Sequence, residues 1–179
     1  MITLTKEIIQ EITTVCEQVK MEEVNTLLMC IQKDKRVFVD GDGRSGLIIK
    51  CFAMRLMHLG YHVFVIGETI TPAMEAGDVM IAVSGSGSSL SVVNNIEKAK
   101  MKGCRTIAIS AKPTSFTNQA DYSLIIPGSV KSDHGEARNS IQLLSSLFDQ
   151  SLHVIVDTMA LMISQRDNFS NEQATHNHY

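Results

Sequence analysis

Two glycine- and serine-rich segments, Gly41-Asp42-Gly43-Arg44-Ser45-Gly46 and Ser84-Gly85-Ser86-Gly87-Ser88-Ser89, each follow an apolar run and each lead into a helical pattern. A strand that ends in glycines and hydroxyls ahead of a helix presents free backbone N–H groups and the positive end of a helix dipole, which suits a phosphate. In the second segment the hydroxyls of Ser84, Ser86, Ser88 and Ser89 can donate to phosphate oxygens, while Gly85 and Gly87 let the backbone approach. Ser88 or Ser89 also fits the cap of the following helix. In the first segment Gly43 and Ser45 have the same character, and Arg44 can meet a phosphate or a sugar hydroxyl, with an ion pair to Asp42 as its alternative. Two such segments in one small domain suggest a phosphorylated small molecule held from two sides.

The first segment also satisfies G-x-G-x-x-G, and Glu68 lies about the right distance onward to hold a ribose, so a dinucleotide site is a competing reading. Glu68 stands beyond Gly67 rather than at a strand end, no substrate domain follows, and a second phosphate-type segment is present. Neither segment ends in Gly-Lys-Ser/Thr, which disfavours a nucleotide P-loop.

The elements that must position these segments are readable from periodicity. Five short β-rich runs, Val37–Val39, His62–Ile66, Val79–Val83, Thr106–Ser110 and Tyr122–Ile126, are continuously apolar rather than alternating, as strands buried on both faces are. Helical patterns over Leu47–Leu59 and Leu90–Met101 separate them, and a last helix is expected from about Asn139 to Ser164. This alternation predicts an α/β fold: a three-layer, doubly wound, five-stranded parallel sheet. Two segments on one ligand favour a flavodoxin-like order 2-1-3-4-5, in which strands one and three are neighbours and both segments face one crevice; in the order 3-2-1-4-5-6 strand two separates them. Apolar residues from Ile8 to Ile31 recur at helical spacing, giving an N-terminal helical segment over 1–32, either one helix or two broken near Lys20. The tail over 166–179 is polar; a frayed terminus is one reading, and His176 and His178 are the reason not to dismiss the tail. The whole, 1–179, reads as one domain.

With 44% apolar and 20% charged residues the composition is ordinary for a globular domain. A net charge of −3 and the lack of any Lys/Arg run argue against nucleic acid as a partner. No apolar stretch is long enough for a bilayer, so the expectation is a cytoplasmic protein without membrane contact. Cys16, Cys30, Cys51 and Cys104 form no C-x-x-C pair and read as reduced thiols. His176 and His178 form a lone H-x-H, too little for a metal site, so no metal and no cofactor is expected.

The two segments, together with Gly67-Glu68 and Ala76-Gly77-Asp78-Val79-Met80-Ile81, resemble the sugar isomerase (SIS) domain over roughly residues 30 to 130. Within that superfamily, Arg44-Ser45-Gly46, Phe52-Ala53-Met54-Arg55-Leu56, Gly67 to Pro72 and Ser146-Leu147-Phe148-Asp149-Gln150 are most similar to the 6-phospho-3-hexuloisomerases. That family writes Glu where Asp149 stands, and Pro-Met-Gly where this chain has Leu143-Leu144-Ser145. Its His-Ala-Asn-like ending is matched only at His176.

The resemblance implies isomerisation of arabino-hex-3-ulose 6-phosphate to fructose 6-phosphate through a cis-enediol, without a cofactor, in a homo-oligomer built as a dimer of dimers. It assigns the phosphate to Ser45, Ser84, Ser86 and Ser89 and the base to Asp149, for which a solvent-exposed helix charge is the alternative. Glu68 or His176 is the substitute base, His176 acting across a subunit interface. His153, one turn after Asp149, reads as a core or interface residue. A non-catalytic SIS module that binds a sugar phosphate, or a related aldose–ketose isomerase, is the alternative function.

Overall fold

In the computed structural model, which describes residues 1–178, five strands form one parallel sheet in the order β2-β1-β3-β4-β5. They are β1 (Arg36–Gly41), β2 (His62–Val65), β3 (Val79–Val83), β4 (Arg105–Ser110) and β5 (Tyr122–Ile125). Pairing registers such as Val39 with Ile81 and Ile81 with Ile107 hold the three central strands together. The expected α/β fold and strand order are both present.

Successive side chains of a strand point to opposite faces, and both faces here are apolar. Val37, Val39, Ile81, Val83, Ile107 and Ile109 face one layer, while Phe38, Met80, Ala82 and Ala108 face the other. The first layer is α1 (Ile2–Glu17), α2 (Met21–Cys30), α3 (Gly43–His58) and α6 (Ser146–Arg166); the second is α4 (Leu90–Met101) and the short α5 (Ser115–Gln119). The N-terminal segment is thus two helices, broken where Lys20 takes an extended backbone, and it covers a sheet face.

Two expectations are corrected. The helix expected from about Asn139 begins at Ser146, because Leu144 adopts a left-handed backbone with φ 55° and Ser145 follows as the N-cap. The preceding segment is held instead by side chains: the Glu11 carboxylate accepts from Ser140 Oγ (2.8 Å), Ile141 N (2.8 Å) and Gln142 Nε2 (3.0 Å). The tail is not frayed either. Ser170 and Gln173 form a reciprocal capping box that starts α7 (Asn171–His176), and Asn177 Nδ2 then donates to the His58 carbonyl at 2.8 Å.

One contact sets the angle between β1 and α3. A Cβ at Gly46 would be driven into the Gly41 carbonyl oxygen, so the first turn of α3 lies against the end of its own strand. Ordinarily Gly→Ala inside a helix gains about 1 kcal/mol. Here the overpacking penalty of about 1–3 kcal/mol should exceed that gain. Urea unfolding of Gly46→Ala is therefore expected to show a net loss of stability.

Candidate active site

All βα junctions of a parallel sheet fall on one edge, and here three helix N-termini meet there. The helix α3 starts at Gly43, earlier than its apolar pattern suggests, so Gly43, Arg44 and Ser45 form its first turn. The N-cap positions of α3, α4 and α6 are Asp42, Ser89 and Ser145, and none of the three side chains makes a capping bond to its own helix. Each start therefore keeps free N–H groups and a partial positive charge of about half a unit. Between them lies a cavity of about 320 Å³, lined by Asp42, Gly43, Arg44 and Ser45 from one side and by Ser84, Gly85, Ser86 and Ser89 from the other. Val83, Lys131, Leu144, Ser145, Ser146 and Asp149 complete the lining.

Glycine supplies the closeness. A Cβ at Gly85 would meet the Phe148 ring at 2.9 Å, and one at Gly128 would meet the Phe148 Cα at 2.6 Å. The second segment and the exit of β5 are thus both pressed against the first turn of α6, which brings Asp149 to the cavity.

Asp149 is 3% exposed, so it is no solvated helix charge. Its Oδ1 accepts from Ser45 Oγ at 2.7 Å, and Arg44 Nε stands 3.8 Å from Oδ2. Burial pushes the carboxyl above its usual range, while the Ser45 hydroxyl and the Arg44 guanidinium pull in the other direction without cancelling the rise. The shift opposes the intrinsic acidity of Asp relative to Glu and makes the carboxylate a stronger base than a solvated Asp. Arg44 donates to Ser146 Oγ at 2.9 Å rather than pairing with Asp42, so it joins the first turns of α3 and α6.

Most of the residues read from the sequence meet in this cavity, but four do not. Gly87 has φ 68° and its open side abuts Thr114, so it serves the turn, and Ser88 points outward with its hydroxyl 2.7 Å from that of Ser86. Glu68 lies outside the lining, exposed and paired with Lys50 Nζ at 2.6 Å. His176 sits on α7, near the His58 end of α3, while Asp149 meets the opposite end at Ser45. The 16 residues of α3 span about 24 Å at the usual helical rise, which separates His176 from Asp149 within one chain. His153, near Asp149 in sequence, is half-exposed and lies 3.5 Å from Asp157.

Sequence reasoning missed Lys131, Ser145 and Ser146. A serine pair directly before the apolar run Leu147-Phe148 is an N-cap signal that would have moved the helix start to Ser146. Lys131 carries no such mark.

A family model for the SIS domain matches residues 30–154. The chain belongs to the SIS domain family. Curated relatives of this SIS protein include a 3-hexulose-6-phosphate isomerase of Mycobacterium gastri, 43% identical over 150 residues that cover 83% of this chain and 75% of the relative. A second 3-hexulose-6-phosphate isomerase, from Bacillus subtilis, is 35% identical over 167 residues, 93% of this chain and 90% of the relative. Among solved structures, a hypothetical protein from Methanococcus jannaschii, for which a molecular function of 3-hexulose-6-phosphate isomerase is inferred, superimposes with a TM-score of 0.84 at 28% identity. The match covers 99% of this chain and 98% of that one. No helix among the described residues is long and apolar enough to cross a membrane.

The buried Asp149 links this SIS site to stability. Because the folded state holds its proton more tightly than the unfolded chain, ionised Asp149 costs stability as pH rises through the folded pKa, and the cost disappears below the unfolded value of about 4. Thermal melts should show Asp149→Asn more stable than the wild type at pH 7, with the difference closing toward about pH 4.

Proposed function

We propose that the protein is a 6-phospho-3-hexuloisomerase that converts arabino-hex-3-ulose 6-phosphate into fructose 6-phosphate without a cofactor. The observation that carries this reading is a buried carboxylate facing a cavity ringed by three uncapped helix N-termini, in a chain whose relatives bear that name. The phosphate lies toward the α4 start, held by the hydroxyls of Ser84, Ser86 and Ser89 and by first-turn N–H groups of α3 and α4. The sugar chain then runs toward α6, where Arg44, Ser146 and Asp149 meet its hydroxyls and carbonyl.

Isomerisation requires loss of the C2 proton beside the C3 carbonyl, a cis-enediol spanning C2 and C3, and return of a proton to C3 as the C2 oxygen becomes the carbonyl. Asp149 takes and returns the carbon-bound proton. Ser45 orients its carboxylate, and the Arg44 and Lys131 cations stabilise negative charge developing on the enediol oxygens. Catalysis by a positioned base of this kind contributes roughly 10²–10⁴-fold.

We further propose a homo-oligomer in which a second copy covers the face that α3 and α6 share. Leu47 on α3 and Leu161 on α6 are 64% and 58% exposed there. A depression lined by Leu47, His153 and Val154 also includes Arg44 and Asp149, so this face is continuous with the site. The SIS resemblance extends this to a dimer of dimers, and it is from another copy that His176 would have to reach Asp149. Sedimentation equilibrium is expected to give a mass above that of one chain; a monomer at all concentrations would refute the assembly.

Coupled detection of fructose 6-phosphate formed from arabino-hex-3-ulose 6-phosphate tests the activity. Asp149→Asn should lower kcat by about 10²–10⁴-fold, and Ser86→Ala should mainly raise KM. Sugar-phosphate-dependent thermal stabilisation without turnover would instead make this a binding module.

A further inference from the structure

Asp42 holds an unusual place in the cavity. It occupies the N-cap position of α3, where a carboxylate ordinarily accepts from the N–H groups of its own first turn, yet it makes no such bond. Its Oδ2 instead accepts hydrogen bonds from Ser89 Oγ and Ser91 Oγ at the start of α4. Ser89 likewise leaves its own helix uncapped and spends its hydroxyl on Asp42. An anionic oxygen thus crosses from one helix start to the other and takes the Ser89 hydroxyl, one of the donors that a phosphate at α4 would use.

We propose that Asp42 is a resident anion of the phosphate seat, an intramolecular competitor that must release Ser89 before a phosphate can take its hydroxyl. This rests on the phosphosugar reading of the cavity. A carboxylate tethered one residue from Gly43 is always present at high local concentration, whereas a free anion is not. Apparent affinity for any phosphate falls by the fraction of molecules in which Asp42 has let go. After release the carboxylate remains beside the incoming dianion and repels it.

The penalty is the same for a bare phosphate and for a phosphosugar, so their affinity ratio is unchanged. Its effect lies in where the two fall on an absolute scale. A phosphosugar adds contacts toward Arg44, Ser146 and Asp149 and stays within the range that fills the site, while inorganic phosphate is moved out of it. Asp42 then leaves the choice between the two anions unchanged; it weakens both, which lowers the resting occupancy by inorganic phosphate and shortens the stay of a product carrying the same phosphate.

Calorimetric titration of inorganic phosphate and of fructose 6-phosphate into wild type, Asp42→Asn and Ser91→Ala tests the proposal. Asp42→Asn keeps the side-chain shape and removes the charge, and Ser91→Ala loosens one hold on the carboxylate from outside the cavity lining. Inorganic phosphate should bind Asp42→Asn about tenfold tighter or more, with Ser91→Ala shifted in the same direction. Loss of a merely structural strut would move affinity the other way. Unchanged or weaker phosphate binding by both variants, with wild-type circular dichroism, overturns the proposal while leaving wild-type turnover to uphold the isomerase reading. Tighter inorganic phosphate binding by the variants, beside a wild type that neither binds nor converts a phosphosugar, would uphold the resident anion and refute the isomerase. No binding of inorganic phosphate or fructose 6-phosphate by any of the proteins, together with no turnover, refutes both.

Discussion

Phe148 is fully buried, its ring against Gly85 and its backbone against Gly128, and the geometry of the cavity depends on that packing. Gly85 lets the second serine segment close on the ring, and Gly128 lets the chain leaving β5 pass over its backbone. The first turn of α6 is thereby fixed against the C-terminal edge of the sheet. Asp149, the next residue, is thereby brought within hydrogen-bond reach of Ser45. Packing at one aromatic side chain thus sets the position of a carboxylate that β1 and α3 approach from the other side.

The electrostatics follow from this convergence. Three helix starts with free N–H groups, together with Arg44 and Lys131, make the cavity attractive to anions, and two carboxylates sit inside that field in different ways. Asp42 is well hydrogen-bonded: the Ser89 and Ser91 hydroxyls hold its carboxyl below the usual range. Asp149 is buried, with one hydroxyl and one more distant guanidinium for company, and burial pushes it up. Two residues of one type, lining the same cavity, are driven apart by environment, which suits one to remain an anion and the other to exchange a proton.

Much of the fold was legible because its signal is local. A run such as Val79–Val83, apolar at every position and wholly buried, can only be a strand covered on both faces, and the two serine-rich segments mark where such strands give way to helices. The start of α6 was less legible, since the apolar Ile141, Leu143 and Leu144 extend its pattern backward although they lie outside it and are exposed. The tail was misread for a similar reason: its composition is polar, but a Ser170–Gln173 capping box and a bond from Asn177 to the end of α3 order it.

Periodicity, β-propensity and glycine placement, written residue by residue along the chain, carry the layers and the two phosphate-type walls, and the pairing of those walls on one ligand carries the strand order. The sequence by itself also carried the SIS resemblance that singled out Asp149. Only the tertiary structure decided which of these groups meet. Asp42 reaches Ser89 across 47 positions of sequence, and Ser45 reaches Asp149 across 104, distances over which no local pattern speaks. Burial of Asp149, the arrival of Lys131 and the separation of His176 from the cavity are likewise properties of how helices pack on the sheet. Chemistry at such a site depends on a few ångströms and on exclusion of water, and both arise only when distant segments close on one another.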